Sequence, residues 1–323
     1  MIENCVLEVN DLSKEYKVRK GELINAVNQI SFKAYEGEIL GLLGPNGAGK
    51  TTTVKMICSL IKPTSGNVLI NGVDNQEHRN KALKNISAVL EGNRNIYWRL
   101  TVRENLEFFA SLKGINPKKI INRINHYIEF FDLKEKENEL ASKLSRGMQQ
   151  KLAIATALVS GCDIILLDEP TLGLDVKASY DVRDLLKKIV KEEKKTIIIT
   201  THDMNVVQEV CDRVIIINNG NIITNDSTEN LLELFKIKNY SFVIENILSN
   251  NIKNQLLEIS HLEINEKDME TELFVNLEDS QIFYDVVDIL ATEKCIIKSI
   301  ENKELNFEKV FVEIIGRSED TDE

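Results

Sequence analysis

Along the first 230 positions, short runs of β-branched residues alternate with longer stretches of helical period. Leu7 to Val9, Ile39 to Leu43, Ser87 to Leu90, Ile164 to Leu167, Thr196 to Thr200 and Val214 to Ile217 predict strands. Between them, Thr101 to Lys113 puts Val102, Leu106 and Phe109 on one helical face. Ser179 to Lys194 does the same with Val182, Leu185, Leu186 and Ile189. Strands punctuated by amphipathic helices predict an α/β domain around a largely parallel sheet.

After Asn225 the pattern changes. Ser227 to Phe235 reads as a helix, followed by strand Tyr240 to Glu245, helix Asn251 to Leu257, strands Ile259 to Ile264 and Glu272 to Leu277, helix Ser280 to Thr292 and strand Cys295 to Ile300. That βαββαβ order predicts a small α+β, ferredoxin-like domain over residues 231–316. A helix from Phe307 to Ile315 closes it. Residues 317–323, RSEDTDE, predict a disordered tail. Charge marks the same boundary. Leu231 to Glu323 holds 9 basic and 21 acidic residues, a net −12, so the first 230 residues carry +1. The acidic end is a poor partner for nucleic acid or an anionic membrane surface. The longest apolar runs fall far short of the roughly 20 residues that span a bilayer. The amino terminus, MIENCVLEVN, lacks the basic start of a secretory signal, so a cytoplasmic protein is expected. Five scattered cysteines, with no metal or redox spacing, read as reduced, packed thiols.

Four motifs carry chemistry. Gly44-Pro45-Asn46-Gly47-Ala48-Gly49-Lys50-Thr51 follows the strand Ile39 to Leu43 and opens the helical run Thr52 to Leu60. Glycines that let amides turn inward, at the positive end of a helix, make a phosphate-binding loop. Lys50 is expected at the β and γ phosphates, Thr51 on magnesium and Thr52 on the α-phosphate side. The strand Ile164 to Leu167 ends in Asp168 and Glu169, whose side chains alternate between faces and so can hold separate roles: Asp168 in the magnesium shell, Glu169 polarising the attacking water. Ser145-Arg146-Gly147 begins an amphipathic helix. Ser145 is either a phosphate-gripping hydroxyl or a helix cap. His202, at the end of the strand Thr196 to Thr200, can donate to a γ-phosphate or to water, or serve structure alone.

In their order and spacing, GPNGAGKT, LSRGMQQ, LLDEP, TLGLD and TTHD resemble the ATPase subunits of ATP-binding cassette (ABC) transporters over roughly residues 5–230. The resemblance implies a P-loop NTPase cassette with a mixed sheet core and a helical subdomain at about 92–160, binding ATP with Mg2+. It further implies a head-to-tail dimer, with itself or with a second ABC ATPase. In that dimer Ser145 and Gly147 would contact the γ-phosphate held by the partner, and Asp175 would lie at the interface. Tyr16 matches the aromatic that stacks on adenine, with a surface or core tyrosine as the alternative. The family also implies an integral membrane permease subunit, which would hold this chain at the inner face of the cell membrane. Residues 92–105 fall where a groove receives the permease; Tyr97 and Trp98 there are interface anchors or local packing.

Two departures matter. Arg146 and Met148 stand in the signature where a glycine and a glutamine are usual, a variation that resembles the drug-resistance-type (type-2) exporter subgroup. Glu91 occupies the position of a glutamine that contacts magnesium. A carboxylate there ligates the metal equally well and adds negative charge beside Glu169. The expectation is therefore the ATP-hydrolysing subunit of an exporter. The alternative is a non-catalytic or soluble ABC-type ATP switch.

Overall fold

The computed structural model describes residues 4–17, 23–92, 95–234, 238–257, 259, 262–267, 270–277, 280–303 and 311. The chain divides into two units, 1–228 and 229–323, two residues earlier than the charge shift suggests.

In the first unit, β1 (Cys5–Lys17) and β2 (Leu23–Tyr35) pair antiparallel. The chain then enters the interior as β3 (Ile39–Leu43) and turns into α1 (Lys50–Ile57). It returns to the first sheet as β4 (Ser65–Ile70) and β5 (Val73–Asp74), giving the order β2-β1-β4-β5. This antiparallel sheet is largely missing from the sequence reading. Its strands are half-exposed, and register shifts at Val9/Leu12 and Leu12/Lys14 interrupt the two-residue period on which that reading relies.

A short helix, α2 (Arg79–Ala82), precedes β6 (Ile86–Val89). A helical subdomain follows: α3 (Val102–Leu112), α4 (Ile121–Phe130) and α5 (Arg146–Leu158). Thr101 and Glu104 start α3 with a reciprocal capping box. Val102 and Leu106 are fully buried, but so is Asn105, whose amide bonds Tyr97 and Leu100 and fixes the preceding turn. The chain re-enters the central sheet as β7 (Ile164–Asp168), then runs through α6 (Val176–Glu193), β8 (Thr196–Thr201), α7 (Met204–Val210), β9 (Arg213–Asn218) and β10 (Asn221–Ser227). The order is β10-β9-β3-β8-β7-β6, parallel except for β10. One core cluster joins both sheets and α1, with Leu12, Ile30, Leu42, Ile57, Leu166 and Ile215 almost fully enclosed. Each such side chain contributes about 1.5–3 kcal/mol of burial.

The second unit contains most of α8 (Thr228–Leu234), then β11 (Lys238–Glu245), α9 (Asn250–Leu257), β12 (Leu262–Lys267), β13 (Glu270–Leu277), α10 (Ser280–Thr292) and β14 (Ile297–Lys303). The strands pair antiparallel in the order β12-β13-β11-β14, the ferredoxin-like arrangement that the sequence predicts. Phe242, Leu273, Val275, Leu256 and Leu290 form its core. Of the expected helix from Phe307 to Ile315 only Phe311 is described, helical and buried. The expected tail, 317–323, lies outside the described residues. Among the described residues no helix is long and apolar enough to cross a membrane.

Candidate active site

Because β3, β8, β7 and β6 are parallel neighbours, their carboxyl ends share one edge of the sheet. This is where open α/β sheets bind ligands. The phosphate loop leaves β3, Glu91 follows β6, Asp168 and Glu169 end β7, and His202 follows β8. A cavity of about 310 Å3 lies there, lined by Asn46 to Thr52 together with Glu91, Glu169, His202, Ala26 and Leu172.

The loop is wound tightly. Gly49 has φ +108, and a Cβ on it would stand 2.4 Å from the Ala26 carbonyl oxygen of β2. Only glycine fits that close approach. Gly49 is also the N-cap of α1, with no side chain bonded over the first turn, so the helix amides are left for an anion. The helix starts at Lys50, two residues before the sequence suggests, which puts Lys50, Thr51 and Thr52 in its first turn. Lys50 is 6 % exposed, and its ammonium donates to the carbonyls of Gly44 at 2.6 Å and Pro45 at 3.1 Å. Burial pushes its pKa down, against the pull of Glu169, Asp168 and Glu91. The phosphate loop thus holds one desolvated cation facing three carboxylates.

Asp168 is buried. Its Oδ1 accepts from Thr51 Oγ1 at 3.1 Å and from Thr200 Oγ1 at 2.5 Å, while its Oδ2 is buried with no hydrogen-bond partner. A buried, unpaired carboxylate oxygen beside a threonine hydroxyl fits a divalent cation. No cluster of three or more His, Cys, Asp or Glu among the described residues could hold a metal by itself. Mg2+ needs no such cluster, since it is held by one or two carboxylates together with phosphate and water. Thr200 escaped the sequence reading. It meets Asp168 only through the pairing of β7 with β8, which places the two opposite each other.

Glu169 adopts φ +51, a costly conformation for a glutamate and one that marks functional sites. Its amide is held by the carbonyl and hydroxyl of Thr200, at 3.0 and 3.2 Å. Its Oε1 lies 2.9 Å from His202 Nδ1. The tautomer with its proton on Nδ1 donates to this carboxylate.

Four expected residues, Tyr16, Ser145, Gly147 and Asp175, do not line this cavity. Tyr16 is 37 % exposed on β1, opposite Ile24 and two residues from Ala26 along β2, with Lys14 over its ring at 5.3 Å. Ser145 is the N-cap of α5, accepting from the Met148 amide at 3.3 Å. A Cβ on Gly147 would meet the Ala178 Cβ at 2.8 Å, so this glycine permits the close approach of α5 and α6. Asp175 caps α6 through the Ala178 amide at 2.8 Å. In the expected groove, residues 93 and 94 lie outside the described residues. Tyr97 packs edge-on against Phe108 at 4.5 Å, and Trp98 lines a cavity of about 270 Å3 with Arg146 and Gln149. An adjoining, more apolar cleft of about 370 Å3 lies among Leu60, Leu83, Leu90, Phe109 and Leu112; among the described residues of the 92–105 segment, only Asn95 lines it.

Residues 27–172 match the family model described as ABC transporter. The chain is 36% identical over 238 residues to the ABC transporter ATP-binding protein NatA of Bacillus subtilis, spanning 74% of this chain and 96% of that protein. It is 32% identical to the bacitracin transport ATP-binding protein BcrA of Bacillus licheniformis, over 97% of this chain and 98% of that one. The methionine import ATP-binding protein MetN of Bacillus subtilis is 34% identical over 72% of this chain and 67% of its own length. Among solved structures, the dimeric post-hydrolysis state of the ATP-binding cassette MJ0796 with ADP and Pi aligns with a TM-score of 0.61 at 30% identity, over 69% of this chain and 98% of that one. CbiO1 of Clostridium perfringens, part of the transporter complex cbiONQ, aligns with a TM-score of 0.65 at 27% identity, over 73% and 93%. The chain belongs to the ABC transporter family as an ATP-binding subunit, an ATPase that works with Mg2+.

Proposed function

We propose that this chain drives export as the ATPase of a type-2, drug-resistance-type ABC exporter, held at the cytoplasmic face of the membrane by a separate integral permease. The likeness to BcrA supports this subgroup, because it runs through the second unit, whereas the likeness to the MetN importer covers 72% of the chain. The apolar cleft around Leu60, Phe109 and Leu112 offers a surface for the permease.

For hydrolysis, the carrying observation is the Glu169–His202 contact in the cavity that the phosphate loop lines. Lys50 and the α1 amides hold the β and γ phosphates, Thr52 stands on the α-phosphate side, and Tyr16 receives the adenine. Thr51 and Asp168 would hold Mg2+, with Glu91 as a further ligand, and the ion would supply positive charge against the phosphates. Glu169 takes the proton of the attacking water, and His202, bonded to that carboxylate through Nδ1, holds it in place. Ser145 and Gly147 lie outside the chain's own cavity, which supports a dimer, with itself or with a second ABC ATPase, in which they close the partner's site.

The test is Glu169→Gln. Nucleotide binding should persist while hydrolysis falls at least about 100-fold, as removal of a general base requires. Turnover at the wild-type rate would sink the assignment. For direction, inside-out vesicles carrying the chain with the permease it co-purifies with should accumulate substrate when ATP is added outside. ATP-driven release would make it an importer.

A further inference from the structure

His202 is held weakly by its surroundings. Its side chain is 46 % exposed, and its bond to Glu169 is the contact that matters for hydrolysis. Its place depends on the turn between β8 and α7. Asp203 builds that turn: its amide donates to Thr201 Oγ1 at 3.0 Å, and its Oδ1 accepts from the Asn205 amide at 2.9 Å, capping α7. The remaining oxygen, Oδ2, faces Arg183 Nη2 of α6 at 3.4 Å.

Arg183 is 8 % exposed, stacks on Tyr180 at 5.0 Å and pairs through Nη1 with Glu209 of α7 at 2.9 Å. Its Nε is buried without a partner. A buried guanidinium with an unmet donor is a weakened source of stability, because the orphan donor costs free energy. Asp203 and Glu209 are 37 % and 29 % exposed, so water can serve them in its absence. Stability alone therefore does not account for an arginine here, while its grip on the His202 turn does.

We propose that Arg183 is a positioning residue for ATP hydrolysis, acting through Asp203 to set the turn that brings His202 to Glu169. This rests on the roles given to Glu169 and His202 above. In the full chain, Arg183→Met should lower kcat about 10-fold, the effect of a modest misplacement of a reacting group, with KM for MgATP within about twofold. Asp203→Asn keeps a capping oxygen and removes the charge, and should do the same. Glu209→Gln removes the other carboxylate and leaves the turn, so it should keep the wild-type rate. The deciding measurement is a double-mutant cycle: in a His202→Ala background, Arg183→Met should lower kcat no further. Losses that multiply in the double variant, or a Glu209→Gln loss equal to that of Arg183→Met, would overturn the proposal. Should Arg183→Met not fold, Asp203→Asn carries the same cycle. His202→Ala at the wild-type rate would remove the reading underneath, and it is seen without any Arg183 variant.

Discussion

Two helix N-termini in this chain are suited to phosphate, and they are built on different terms. At α1 the cap is Gly49 in a left-handed conformation, no side chain bonds the first turn, and Lys50 is buried beside it. At α5 the cap is Ser145, whose hydroxyl already bonds the Met148 amide, and the neighbouring Arg146 is exposed and donates to the Gly173 carbonyl at 3.3 Å. Among the described residues no side chain caps the first end, and it lines a cavity with Glu91 and Glu169. The second has one amide capped by Ser145, is exposed, and does not line that cavity. That difference is what the proposed shared site requires: one half bound within the chain, the other presented to a partner.

The contrast predicts that damage to α1 shows in the isolated chain's nucleotide affinity, and damage to α5 does not. The largest effect should come from Lys50→Ala. Removing the buried cation on which three carboxylates act should weaken ATP binding about 100-fold, the worth of a desolvated charge-assisted contact. Unchanged affinity by calorimetric titration would mean that the phosphate loop is misread.

A smaller loss is expected one contact further out. Thr200→Val keeps shape but takes a donor from Asp168 Oδ1 and an acceptor from the Glu169 amide. Groups that orient metal ligands in this way are worth about 10-fold to 100-fold in metal affinity. The expected outcome is about a 10-fold rise in the Mg2+ concentration needed for nucleotide binding, with metal-free affinity unchanged. An identical Mg2+ dependence would remove Asp168 from the metal's neighbourhood.

Thr200 also shows where sequence runs short. Lys50, Thr51, Asp168 and Glu169 were legible because their chemistry is written in consecutive residues after an apolar strand. Thr200 was not, because its link to Asp168 exists only across the β7–β8 pairing. The left-handed φ of Glu169 and the unpaired Oδ2 of Asp168 likewise have no local signal. In the fold, the βαββαβ order of the second unit was readable from simple amphipathic alternation, whereas bulged β1 and polar β10, NIITNDS, escaped it. Gly147 was read for its place in the signature, and its packing against Ala178 needed the approach of α5 to α6.

The smallest effect tests the α5 side, where two roles of Ser145 must be separated. As a cap alone, its hydroxyl is worth about 1 kcal/mol, a shift of roughly 2–4 °C in thermal midpoint for a domain of this size. As a partner-phosphate ligand it also contributes to turnover. Ser145→Ala should therefore lower the midpoint by that amount and reduce kcat about fivefold, the worth of one neutral hydrogen bond, while the isolated chain's ATP affinity stays unchanged. Ser145→Asp separates the two. Aspartate caps as well as serine and suits the helix dipole, so the midpoint should recover. Its charge would oppose an incoming phosphate, so the rate should not. A rate that recovers together with the midpoint would make Ser145 a cap only, and the outward half-site would lose its hydroxyl.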